Sequence, residues 1–138
     1  MTQEEKELLL KDLCARLPYG VIVKDRNGVH ELTAGNTEFT DLLYNSKCNI
    51  KPYLFPLSSM TDEQWKELRN LIYEYFALDE EFNEGICYKT YGDILVWLDE
   101  KPINECYFIF DYFNKNHFDY RGLIPMGLAI DATNKNIY

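Results

Sequence analysis

The sequence lacks most of the features that would announce a chemistry. Among 138 residues there are two histidines and four cysteines. Cys14, Cys48, Cys87 and Cys106 never stand at Cys-x-x-Cys spacing, so no zinc, iron–sulfur or dithiol motif is formed. No run of Lys and Arg occurs and the net charge is −9. A chain of that sign repels phosphate backbones, which disfavours direct nucleic-acid binding. Long apolar stretches are missing too. Ile94 to Leu98 is as long as such runs become, well short of the ~20 residues that cross a bilayer. No apolar leader follows Met1, because the first seven residues are mostly charged or polar. The expectation is a soluble, cytoplasmic protein with reduced thiols, no metal and no cofactor.

What the chain does have is aromatic bulk. It is 46% hydrophobic and 15% aromatic, with 11 Tyr and 8 Phe, enough to bury a core and too much for a disordered chain. Its length predicts one domain over residues 1–138. The acidic cluster Asp79-Glu80-Glu81 with Glu84 reads most simply as a solvated loop; the sharper alternative is a DNA-mimicking face.

Hydrophobic spacing orders the elements. Thr2 and Glu5 form a capping-box pattern ahead of Leu10, Leu13, Cys14 and Leu17, the stripe of one helix face ended by Pro18. Residues 20–25 and 29–34 are β-branched-rich runs around Arg26-Asn27-Gly28, a hairpin signal. Phe39 to Tyr44 is expected as a third strand. Residues 45–60 read as irregular, with Pro52 and Pro56 flanking Tyr53-Leu54-Phe55. Thr61 and Gln64 cap a second helix over 62–76, whose stripe is Trp65, Leu68, Leu71, Ile72 and Tyr75. An acidic loop over 77–92 and a strand over 94–98 follow. Pro102 is placed to open a third helix, where Cys106, Phe110, Phe113 and His117 repeat at helical spacing, with a strand over 103–116 as the alternative. Leu128 to Ile130 closes as a strand. The resulting fold class is α+β: a small single domain with a mainly antiparallel sheet, an N-terminal helix, a central amphipathic helix and a third C-terminal helix.

The densest group of hydrogen-bonding side chains is His117-Phe118-Asp119-Tyr120-Arg121-Gly122. His117, Asp119, Tyr120 and Arg121 are the candidate ligand- or partner-binding residues, joined by Lys51 and Tyr53 of the proline-flanked loop. Arg121 offers a planar fork for carboxylate or phosphate, and Tyr120 a stacking face. Each has a structural alternative. His117 can end a helix as a cation that complements the dipole, Asp119 can cap a turn, and Arg121 can pair with Asp119 or Asp111. Gly122 and Gly127 stand with four residues between them, but no Lys-Ser or Lys-Thr follows, so they form no phosphate loop. Ser58 and Ser59 lack a nucleophile-elbow context. No catalytic residue is assigned.

Two longer segments carry a resemblance. Lys51-Pro52-Tyr53-Leu54-Phe55-Pro56-Leu57-Ser58-Ser59-Met60-Thr61 and His117-Phe118-Asp119-Tyr120-Arg121-Gly122-Leu123-Ile124, with Gly127-Leu128-Ala129, resemble a family of small uncharacterised proteins. That family is carried by gut anaerobes and by the phages and mobile elements that infect them. Leu10 to Val21 is similar as well, while Glu80 to Glu105 stands apart. Pro125-Met126 departs from the more polar residues of the pattern. The resemblance implies a phage or mobile-element accessory setting, with counter-defence as one recurrent job, and it transfers no activity. The expectation is a non-enzymatic binding protein that sequesters a small nucleotide-derived ligand or blocks a host protein, with no membrane partner and possible homo-oligomers. The alternatives are a small hydrolase using His117 and Asp119, or a regulator in phage DNA metabolism.

Overall fold

A computed structural model describes residues 1–44, 49–75 and 107–138 of the chain. The expected acidic loop 77–92, the strand 94–98 and the helix start at Pro102 lie outside these residues. In chain order the elements are α1 (Gln3–Arg16), β1 (Ile22–Asp25), β2 (Gly28–Glu31), α2 (Thr37–Tyr44), β3 (Lys51–Pro56), α3 (Asp62–Tyr75), α4 (Tyr107–Lys115), β4 (Phe118–Asp119) and β5 (Ile130–Asp131). The fold is α+β, with four described helices and a mixed, mostly antiparallel five-stranded sheet. No described helix is long and apolar enough to cross a membrane.

The contacts gather into two compact units. One comprises Met1–Pro56 with Asn114–Tyr138, the other Leu57–Phe113.

The first unit is built on β3. On one edge β3 pairs antiparallel with β1 (Val23↔Pro52, Lys24↔Lys51), and β1 continues antiparallel to β2. On the other edge it runs parallel to β5 (Tyr53↔Ile130, Leu54↔Asp131) and to β4 (Phe55↔Phe118, Pro56↔Asp119). Residues 51–56, expected as an irregular aromatic loop, are therefore the strand that every other strand but β2 touches. Pro52 and Pro56 are tolerated because the ladders that flank them are short. A proline removes one backbone donor and otherwise keeps the extended conformation.

Helix α1 starts where its capping box predicts, with Thr2 Oγ1 accepting from Glu5 N–H and the Glu5 carboxylate accepting from Thr2 N–H. Its inner face differs from the expected one. Leu9, Asp12, Leu13 and Arg16 are buried, while Cys14 is exposed and free. Both sets repeat at i, i+3, i+4, i+7, one residue out of phase. The apolar count favoured Leu10, Cys14 and Leu17, but Asp12 and Arg16 neutralise one another and can go inside. Leu9 and Leu13 join Val21, Val23, Leu32, Leu42, Ile50, Leu54, Leu123 and Leu128 in the core.

The β1–β2 hairpin has Arg26-Asn27 as its two-residue turn, closed by Asp25 opposite Gly28. Positive φ falls on Gly28, at 109°, and on neither turn residue. The glycine thus follows an ordinary turn and does not occupy the centre of a primed one. Gly20 likewise sits at positive φ, 70°, a left-handed conformation that L side chains rarely adopt.

Residues 39–44, expected as a strand, lie in α2. Asn36 caps that helix by accepting from Phe39 N–H at 2.9 Å, and a local cap of this kind outweighs a short apolar run.

In the second unit α3 begins at the predicted capping box, with Thr61 and Gln64 exchanging hydrogen bonds. Leu68 and Ile72 of the expected stripe are fully buried. The C-terminal aromatic run is helical over α4, which buries Ile109, Tyr112 and Phe113. Tyr112 Oη donates to the Gln64 carbonyl and to Glu67, both at 3.0 Å. Burial, with Glu67 beside it, raises that phenol well above its usual pKa.

Candidate functional site

The segment after α4 is held by its own side chains. His117 adopts φ 62° just past the helix end, a left-handed position that histidine visits more readily than most residues. Its ring stacks on Tyr138 at 3.7 Å and 9°. Nδ1 is buried without a hydrogen-bond partner. Burial first, and the Arg16 guanidinium second, lower its pKa to about 4. His117 is thus neutral at pH 7, which corrects the expectation of a cationic helix end. Tyr138 spans two strands: its Oη donates to the Tyr53 carbonyl at 2.7 Å and accepts from Ile22 N–H at 3.0 Å. Burial pushes that phenol up to about 12.

Asp119 is buried, and each of its oxygens accepts one backbone N–H, from Leu123 and from Ile124, at 2.8 Å. This is the turn cap that its position predicts. Arg121 pairs with neither Asp119 nor Asp111. It reaches across the fold, where Nε donates to Asp12 Oδ1 at 3.1 Å and Nη2 donates to Tyr120 Oη at 2.9 Å.

The other oxygen of Asp12 takes Arg16 Nε at 2.8 Å, and Arg16 Nη2 donates to the Phe118 carbonyl at 2.6 Å. Asp12 and Arg16 are both fully buried. The guanidinium carbons of Arg16 and Arg121 lie 5.4 and 4.8 Å from the Tyr120 ring centre, within cation–π range. One carboxylate thus serves two guanidiniums, and Arg16 Nη1 is left buried without a partner. Arg121 and Tyr120 are brought together in this internal network, with His117 at its margin. Asp12 and Arg16, which organise it, were passed over in the sequence because an i, i+4 acid–base pair looks like a solvated helix face.

Of the remaining candidates, Tyr53 is buried in β3. Lys51 opens instead into a cleft of about 250 Å³ lined by Lys24, Asp25, Arg26, Asn49, Lys51 and Ile130. Lys24 and Lys51 are direct cross-strand neighbours. Opposed residues in an antiparallel pair share one sheet face with their Cβ atoms about 5 Å apart, so like charges there repel. Neither lysine has an ion-pair partner among the described residues. Arg26 is held by Glu38 and, at 3.2 Å, by Asp41.

Asp25, the one acid in the lining, is buried and occupied. It accepts from Asn27 N–H at 2.8 Å and from Asn36 at 3.4 Å, and it meets His30 Nε2 at 2.7 Å. Burial works to raise its pKa, but these hydrogen bonds prevail and lower it. The Glu31 carbonyl, and then Asp25, raise the pKa of His30. Along Ile22-Val23-Lys24-Asp25 burial alternates, and Lys24 lies on the exposed side. Its pairing with Lys51 was hidden by reading 51–56 as a loop.

Among the described residues no three His, Cys, Asp or Glu side chains gather as a metal site. Comparisons with protein families, with curated proteins and with solved structures find no match.

Proposed function

We propose that this chain is a non-enzymatic binding protein that sequesters a small, nucleotide-derived anionic ligand in the β1–β3 cleft. The observation that carries the reading is the opposed lysine pair, without an ion-pair partner among the described residues, that lines a concavity in a chain of net charge −9. A protein so acidic gains nothing in solubility from two adjacent ammonium groups, and their repulsion is relieved when an anion bridges them. A cytoplasmic accessory role for a phage or mobile element, with counter-defence as the purpose, rests on the segment resemblance alone.

Capture is favoured over hydrolysis by the state of the candidate acid–base pair. Asp119 has both oxygens on backbone N–H groups, and the His117 ring is stacked and half-buried. Neither is disposed to activate a water for the other. Equilibrium dialysis against a panel of mono-, di- and cyclic nucleotides, with mass analysis of the recovered ligand, tests this. Retention of intact nucleotide is the expected result. Failure to retain any of them would end the capture reading. Turnover abolished by His117→Ala would restore the hydrolase alternative.

A further inference from the structure

We propose that the group recognised in this cleft is a terminal phosphate monoester, seated as a dianion across Lys24 and Lys51 with the Asn49 amide as a further donor. This rests on the capture reading and names the chemistry that it selects.

The argument begins with charge. Arg26 is already matched by Glu38 and Asp41, and Asp25 by His30 and backbone and amide donors. What remains uncompensated in the lining is the lysine pair, two unit charges on one face of the sheet. A carboxylate would satisfy one of them and leave the other repelled. A phosphate monoester carries about −1.5 to −2 charges at pH 7 and three acceptor oxygens, which matches two separate ammonium groups and an amide.

Geometry agrees. Planar carboxylates are best met by the fork of an arginine, whereas lysines act as point charges that a tetrahedral oxyanion can meet from different sides. The one arginine of the lining is tied back by its two acids. Size sets the rest of the ligand. At about 250 Å³ the cleft is slightly smaller than most ligand sites, which commonly run from about 300 to 1,000 Å³. It accommodates a phosphate and the ring or chain next to it, with Ile130 as the apolar contact, and not an oligonucleotide.

The test is isothermal titration of the full chain at low ionic strength with inorganic phosphate, AMP, ribose 5-phosphate, adenosine and acetate. Alongside it, the Lys24→Gln, Lys51→Gln and double variants are titrated and their melting temperatures measured. The three phosphate-bearing probes should bind, and adenosine and acetate should bind at least tenfold more weakly. The double variant should lose at least tenfold in affinity for phosphate-bearing probes, while its own melting temperature is unchanged or raised, because a like-charge contact has gone.

Preference for AMP and ribose 5-phosphate over inorganic phosphate would identify an organic ester as the source; equal binding would identify free phosphate. Adenosine binding as tightly as AMP, still sensitive to the lysine variants, would overturn the phosphate assignment and leave capture in the cleft standing. Binding of AMP that ignores both lysines would overturn the site. A lower melting temperature in the double variant would show that the lysines serve the fold, and would overturn it as well.

Discussion

Asp12 stands between two guanidiniums at zero exposure, and its removal strikes both pairs at once. Asp12→Asn keeps the shape and deletes the charge, leaving Arg16 buried without its counter-ion. Losing one partner of a buried pair costs about 3–5 kcal/mol, a large share of a small domain's stability. Chemical denaturation should show that loss; a change under 1 kcal/mol would mean that water reaches Arg16. Arg121→Ala should be milder, since Asp12 keeps Arg16.

The two histidines give pH dependence of opposite sign. His117 is neutral when folded, with a pKa of about 4, against about 6.5 in the unfolded chain. Stability therefore falls as pH drops from about 6.5 towards 4, by at most about 3 kcal/mol. His30 has a raised pKa. Its contribution is complete below about 6.5 and is lost as pH rises through the folded value. Denaturation between pH 4 and 8 should show the acid loss diminished in His117→Phe and the alkaline loss diminished in His30→Gln. Parallel curves for either variant and the parent would refute the corresponding assignment.

At the scale of elements, α1 offers a direct test of which face is inside. Leu9 is 1% exposed, whereas neighbouring Leu10 is only partly buried. Leu9→Ala should cost about 2–5 kcal/mol and Leu10→Ala clearly less. Equal losses would return the helix to the phase expected from its apolar residues. In α3, Leu68→Asp places an unpaired charge at a position with zero exposure and should unfold that unit outright. An unchanged melting temperature would rule out the packing.

These elements also mark what was legible in the sequence. Capping boxes at Thr2 and Thr61, the hairpin around Asn27 and the stripe of α3 were legible because each is decided by residues within one or two turns. The phase of α1, the strand at 51–56 and the helix at 37–44 were not. Asp12 is allowed inside only by Arg16 and by Arg121, 109 residues away. Pro52 belongs to a strand only because β1, β4 and β5 supply its neighbours. The candidate site was obscured in the same way. Lys51 was visible as a residue, but the lysine opposite it arises from strand register. Of the side chains that looked most chemical, Arg121 is taken up by Asp12 and the His117 ring by stacking on Tyr138, contacts that only the fold makes, while Asp119 caps its own turn.

For the whole molecule, the proposed capture of an anion would couple binding to stability. A ligand held only by the folded state at a hundred times its dissociation constant adds about 2.7 kcal/mol. For a chain of this length that is a rise of several degrees in melting temperature. The rise should shrink as salt goes from 50 to 200 mM, because exposed charge pairs are screened. An increment that ignores salt would point to apolar binding in the cleft, against both lysine-based readings. The topology has a further consequence, in time. β3 meets β1 across a few tens of residues, but its other edge waits for β4 and β5, which begin beyond residue 117. Contacts so far apart in sequence make the folding barrier high and the rate slow. Until β4 and β5 pair with it, β3 presents one bare edge, and bare edges recruit other strands. Refolding yield should therefore fall with protein concentration, and the vulnerable species is the one in which the hairpin and β3 have paired but the C-terminal strands have yet to arrive.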